Sequence, residues 1–112
     1  MDYKNFRRYG RVVVPENNLM PCEGTSKPLR GEITIIGLGG MFIRTRASFP
    51  AGTVLGTRFR MEELVVETDC AVRYAAPTGL GVEFVRLRGT SSENLQKILA
   101  KLKLAESTEV KA

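Results

Sequence analysis

Three guanidiniums stand within five residues in Phe6-Arg7-Arg8-Tyr9-Gly10-Arg11. An arginine side chain is a planar fork that takes a phosphate with two parallel hydrogen bonds and stacks on flat rings. Arg7 and Arg11 have the spacing Arg-x-x-x-Arg, with Arg8 between them. The chemistry on offer is the grip of an anion. A frayed basic arm is the plain alternative, because an arginine-rich chain makes such pairs by chance. The whole chain leans the same way: Lys plus Arg is 17 against 12 acids, a net charge of +5. That balance fits a nucleotide, a nucleic acid or an acidic protein partner, and equally a mildly basic solvated surface.

A second stretch stands out. Ile33-Thr34-Ile35-Ile36-Gly37-Leu38-Gly39-Gly40-Met41-Phe42-Ile43 is an apolar strand broken by three glycines. Glycine inside a strand weakens it unless a bend or a close approach requires it. Either a flat ligand lies over this loop, or Gly39 and Gly40 make the turn or bulge that closes a sheet. Gly37, Gly39 and Gly40 would also leave backbone N–H groups open to an anion.

The residues that are missing narrow the chemistry. There is no histidine, which removes the commonest general base, the commonest zinc ligand and every Ser-His or Cys-His pair. Two cysteines, Cys22 and Cys70, cannot hold zinc alone and are expected reduced and partly buried. Glu62-Glu63 reads as a polar turn. An enzyme is not expected, nor a metal or cofactor. No apolar run reaches the roughly 18–20 residues of a membrane span. The N-terminus shows no secretory signal, so the expected compartment is cytoplasmic.

These residues need a frame to position them. Strand-like runs are read at Leu29–Ile36, Met41–Thr45, Thr53–Met61, Leu64–Ala75 and Leu80–Leu87, with a weaker one at Leu19–Glu23 that contains Pro21. In the last run the alternation puts Leu80, Val82 and Phe84 on one face, with Arg86 next in that series. Gly81, Glu83, Val85 and Leu87 fall on the other. Turns are expected at Pro50-Ala51-Gly52, at Met61-Glu62-Glu63 and at Pro77-Thr78-Gly79. Thr90-Ser91-Ser92-Glu93 has capping-box spacing, and Leu95, Ile98, Leu99 and Leu102 follow at helical spacing. The pattern is an antiparallel sheet or small barrel with one C-terminal helix.

The order of these stretches resembles the PilZ family, the bacterial receptor domain for cyclic di-GMP. The stretches are the Arg7–Arg11 cluster, Gly31 to Ile43, Pro50-Ala51-Gly52-Thr53-Val54-Leu55, Cys70-Ala71-Val72-Arg73-Tyr74 and Gly79-Leu80-Gly81-Val82-Glu83-Phe84. The resemblance implies a six-stranded antiparallel β-barrel with one C-terminal helix. It divides the chain into an arginine-rich arm (1–12), the barrel (13–89), the helix (90–105) and a disordered tail (106–112). It also implies that Arg7 and Arg11, with Arg8 beside them, hold the ligand's phosphates and guanines. No cofactor is expected beyond that ligand.

The family's second motif, Asp/Asn-x-Ser-x-x-Gly, is where this chain departs. Aligned on Gly40-Met41-Phe42-Ile43, the acid position is Ile35, the serine position is Gly37, and Gly40 matches. A competing register, Glu32-x-Thr34-x-x-Gly37, would need three extra residues before Met41. The candidate ligand-binding residues are therefore Arg7, Arg8, Arg11, Gly37 and Gly40, with Ile35 at the degenerate position. Guanine's N–H donors need an oxygen that Ile35 lacks. A buried donor left unpaired costs roughly 1–3 kcal/mol, so losing both acid and serine would weaken binding about 10²–10⁴-fold. The alternative function is a domain that binds no nucleotide and serves as a protein-interaction module, for which the apolar Met41-Phe42-Ile43 stretch is suited. A nucleic-acid partner needs exposed aromatics, for which Tyr9 and Tyr74 are the candidates, and is not favoured.

Overall fold

Each run that repeats its apolar residues at period two becomes a strand, and each turn signal ends one. The computed structural model describes residues 11–111, with side chains through 104. In chain order the elements are β1 (Val12–Val13), a short helical turn (Glu16–Asn18), β2 (Met20–Gly24), β3 (Arg30–Ile36), β4 (Gly40–Thr45), β5 (Val54–Met61), β6 (Leu64–Ala76), β7 (Gly79–Leu87) and α1 (Ser91–Lys111). The ends of β2 to β7 fall within one residue of those expected.

Six strands close on themselves in the order β3-β2-β5-β6-β7-β4, with β4 pairing back onto β3 and every pair antiparallel. Closure leaves no long open edge. β1 takes the part of β3 that β2 leaves uncovered: Val12 and Val13 face Ile36 and Ile35, while Met20 to Glu23 face Ile33 to Arg30. The turns use the expected residues. Thr53 N–H donates to Pro50 O across a turn whose Gly52 has φ 93°. Glu62 leads the β5–β6 turn at φ 55°, unusual for a residue with a side chain.

Inside the barrel, Ile33, Ile36, Met41, Ile43, Leu55, Phe59, Val66, Val72, Leu80 and Val82 form one cluster, completed by Leu95, Ile98, Leu99 and Leu102 of α1. That stripe packs the helix onto β6 and β1. Ser91 and Asn94 tie its first turn down: Glu67 N–H donates to Ser91 Oγ at 2.8 Å, and Asn94 Nδ2 donates to Val65 O at 2.8 Å. The Thr90–Glu93 capping box is not the device used. The helix runs on to Lys111, through most of the 106–112 stretch read as a tail, because no glycine or proline there stops it.

Three bulges break the simple alternation. Ile33 faces Ile43 but Ile35 faces Phe42, so Thr34 is extra on β3. Val72 faces Val82 but Tyr74 faces Gly81, so Arg73 is extra on β6. Asp69 faces Arg86 but Cys70 faces Phe84, so Val85 is extra on β7. A bulge reverses the phase of whatever follows it. After Val85, Leu87 packs on the core and Arg86 is exposed, the reverse of the expected faces.

Candidate functional site

Arg7 and Arg8 lie outside the described residues. Arg11 lies within them, exposed, and leads directly into β1. Since Val12 faces Ile36, one more step of the antiparallel register sets Arg11 beside Gly37. The short strand β1 thus delivers the last arginine of the cluster to the glycine loop.

That loop is internally bonded. Gly37 N–H donates to Gly40 O at 2.9 Å, and Phe84 N–H donates to Gly39 O at 2.9 Å. The Gly37 N–H is therefore not open to an anion, a correction to the sequence expectation. Positive φ is not what the loop requires either: among the described residues the glycines with positive φ are Gly52 and Gly89. Gly40 is needed for close approach, because a Cβ there would run into the Val82 carbonyl of β7 and sit 3.2 Å from Glu83 Cα. The side chain is missing at Gly40 to let β4 meet β7.

The barrel's outer face beside the loop carries two rows of residues. Ile35, Phe42, Gly81 and Tyr74 lie opposite one another across β3, β4, β7 and β6. Gly40, Glu83 and Ala71 form the next outward row. Between them Ile36, Met41, Val82 and Val72 point inward, each at 0% exposure. The Thr34 bulge is what turns Ile35 outward: in strict alternation with the buried Ile33 it would enter the core. Ile35 is half-buried against this surface. The Arg73 bulge likewise sends both Arg73 and Tyr74 outward. The Tyr74 ring lies over Gly81, where any Cβ would meet it, and stands 6.2 Å from the Phe42 ring at 31°.

Electrostatically the centre of this face is Glu83. It is 2% exposed, and Arg73 donates to its Oε1 through both Nε and Nη2. Its other oxygen, Oε2, is buried with no hydrogen-bond partner among the described residues. Glu32, the acid of the competing register, is already engaged by Arg44 at 2.8 Å, and Arg44 also pairs with Glu16 at 3.0 Å.

A depression of about 210 Å³ adjoins the loop, lined by Val12, Gly37, Leu38, Leu99 and Lys103 among others. It brings the arm's entry point, the loop and α1 together. The two cysteines lie elsewhere, both free and buried in the core. Burial pushes the Cys22 thiol up to about 12, helped by Cys70 and Glu23. It pushes Cys70 up to about 11, against hydrogen bonds from Thr57 and Thr68.

Comparison with protein families matches the PilZ domain over residues 5–101. The chain belongs to the PilZ family. Solved structures share the fold. The PilZ domain, with c-di-GMP, of YcgR from Escherichia coli superposes with a TM-score of 0.75 at 20% identity, over 94% of this chain and 97% of that one. YcgR from Escherichia coli in complex with c-di-GMP gives 0.72 at 22% identity, over 94% of this chain and 49% of that one. An uncharacterized Legionella protein gives 0.56 at 15% identity, over 90% and 98%. No curated protein sequence matches the chain.

Sequence reading missed Glu83 and Arg73 as a pair. The available signal was an acid inside an otherwise apolar run, Leu80 to Leu87, across from a strand that carries an arginine.

Proposed function

We propose that this PilZ domain is a cyclic di-GMP receptor, with Arg7, Arg8 and Arg11 gripping the ligand against the outer face beside Gly37 and Gly40. The observation that carries this is the β1 register, which brings Arg11 to the glycine loop. The YcgR structures, which contain c-di-GMP, support the ligand class. Guanidinium contacts to phosphate contribute about 1.5–3 kcal/mol each. Binding sets the arm against the barrel and alters a surface that a partner reads. Isothermal titration with cyclic di-GMP tests it. The expected result is saturable binding at micromolar or better, abolished by Arg7→Ala and by Arg11→Ala. Thermal stability should stay within about 0.5 kcal/mol in both variants, as for surface sites. A variant that binds normally refutes the assignment.

A second reading is a PilZ domain that binds no nucleotide and docks on a protein. Its support is the apolar surface at the motif: Ile35 and Phe42 share the outer row, and Leu38 of the loop is 43% exposed. Ile35→Asp separates the two. A gain of cyclic di-GMP binding from none favours the adaptor for the natural chain.

A further inference from the structure

If the domain is a receptor, a guanine must find an acceptor for its N1–H and N2–H donors, and Ile35 has none. We infer that Glu83 supplies that acceptor, through its free Oε2. This rests on the cyclic di-GMP reading and names the residue that sets its base preference.

The first support is the state of the carboxylate. Glu83 is 2% exposed, its Oε1 is taken by Arg73, and its Oε2 has neither solvent nor a partner among the described residues. Buried polar atoms in native proteins are nearly always paired, so an orphan oxygen on a charged group calls for a partner. A carboxylate only accepts, and it can accept at both oxygens at once. Arg73 leaves one oxygen for a donor from outside.

The second support is placement. Glu83 sits opposite Gly40 on β4 and opposite Ala71 on β6. Two residues before it on the same face is Gly81. The carboxylate is thus ringed by residues with no side chain or a single methyl, on the strand adjacent to the motif glycine. The Tyr74 ring lies at the edge of that floor, over Gly81. Arg73, 38% exposed, reaches the carboxylate from the solvent side and fixes its orientation. The site holds one oriented oxygen among small residues, and a base reaches it by displacing what covers it. That arrangement favours guanine over adenine, whose Watson–Crick edge sets the lone pair of N1 against the carboxylate.

The test is titration of the full chain and two variants with cyclic di-GMP and cyclic di-AMP. Glu83→Gln keeps the acceptor for Arg73 and turns a donor toward the base. It should weaken cyclic di-GMP about 10–100-fold, the effect of one unpaired donor, and leave cyclic di-AMP no weaker or somewhat tighter, because the amide N–H then faces adenine N1. Adding Ile35→Asp to Glu83→Gln should restore part of the loss. If Glu83→Gln does not fold, as judged by its thermal melt, Glu83→Asp withdraws the oxygen while keeping the charge and gives the same readout. Equal weakening of both ligands would show that Glu83 only holds the arm or the barrel, and overturns the inference. Unchanged cyclic di-GMP affinity overturns it too, with the receptor reading intact. No binding by the natural chain removes the receptor reading itself, and this inference with it.

Discussion

Cys22 and Cys70 show how one side chain ties stability to pH. Burial raises both thiols from an ordinary 9.0, to about 12 and about 11. The folded chain therefore holds these protons where the unfolded chain has released them. The associated stability is fully present below pH 9.0 and is lost as pH rises toward about 11–12. Each thiol contributes at most about 1.4 kcal/mol per pH unit in that window. Denaturant melts from pH 7 to 11 should be level up to about 9 and then fall. In Cys22→Ser or Cys70→Ser the fall should be shallower. A thiol-reactive dye should label neither cysteine in the native protein at pH 8, since both are buried thiols rather than exposed thiolates.

At the scale of elements, the bulge on β3 decides what a substitution does. Ile35 and Ile36 are neighbours of identical type, and only Ile36 enters the core. Ile35→Asp should shift stability by less than about 1 kcal/mol. Ile36→Asp should prevent folding, because an unpaired charge cannot be buried there. Circular dichroism melts of the two variants check this, and equal effects would contradict the phase change at Thr34. The β5–β6 turn gives a second case. Glu62 holds φ 55°, which costs a residue with a side chain about 1–2 kcal/mol, and its pair with Lys101 at 2.5 Å is exposed and screened by solvent. Glu62→Gly should raise stability by about 0.5–1 kcal/mol in a thermal melt. These cases also mark what was legible in the sequence. Strand ends, turns at Pro50-Ala51-Gly52 and Pro77-Thr78-Gly79, and the Leu95–Leu102 stripe follow from local patterns, and the structure has them all. The bulges at Thr34, Arg73 and Val85 carry no residue signal of their own. They arise from fitting strands around a closed barrel, and the Arg73–Glu83 contact depends on one of them. Of the candidate site, the glycine loop was legible as a break between β3 and β4, and the buried acid was not.

At the scale of the whole molecule, arginines stand at both ends of β3. Arg11 stands beside the loop that follows Ile36. Arg30 opens the strand at the other end, where it borders depressions shared with Arg44 and Arg46 and with Arg58 and Arg60. Anion attraction to that far end is diffuse and falls with salt, whereas contacts in a built site are screened less. Cyclic di-GMP titrated at low and at moderate salt should therefore keep one saturable event that Arg11→Ala removes. The wall around β3 also has a timetable. β5 and β6 are held by pairs from Val54–Ala71 to Met61–Leu64, while β1 holds β3 by only two, Val12–Ile36 and Val13–Ile35. Opening proceeds from the segments with least to hold them. The Val14 N–H, bonded to Thr34 O at 2.8 Å, should exchange with solvent well before the amide of Val66. The first seam of the sheet to part is thus the one between β1 and β3, which Arg11 enters. Whatever fastens the arm clamps the seam, so occupancy at the surface would be felt as slower breathing of the fold.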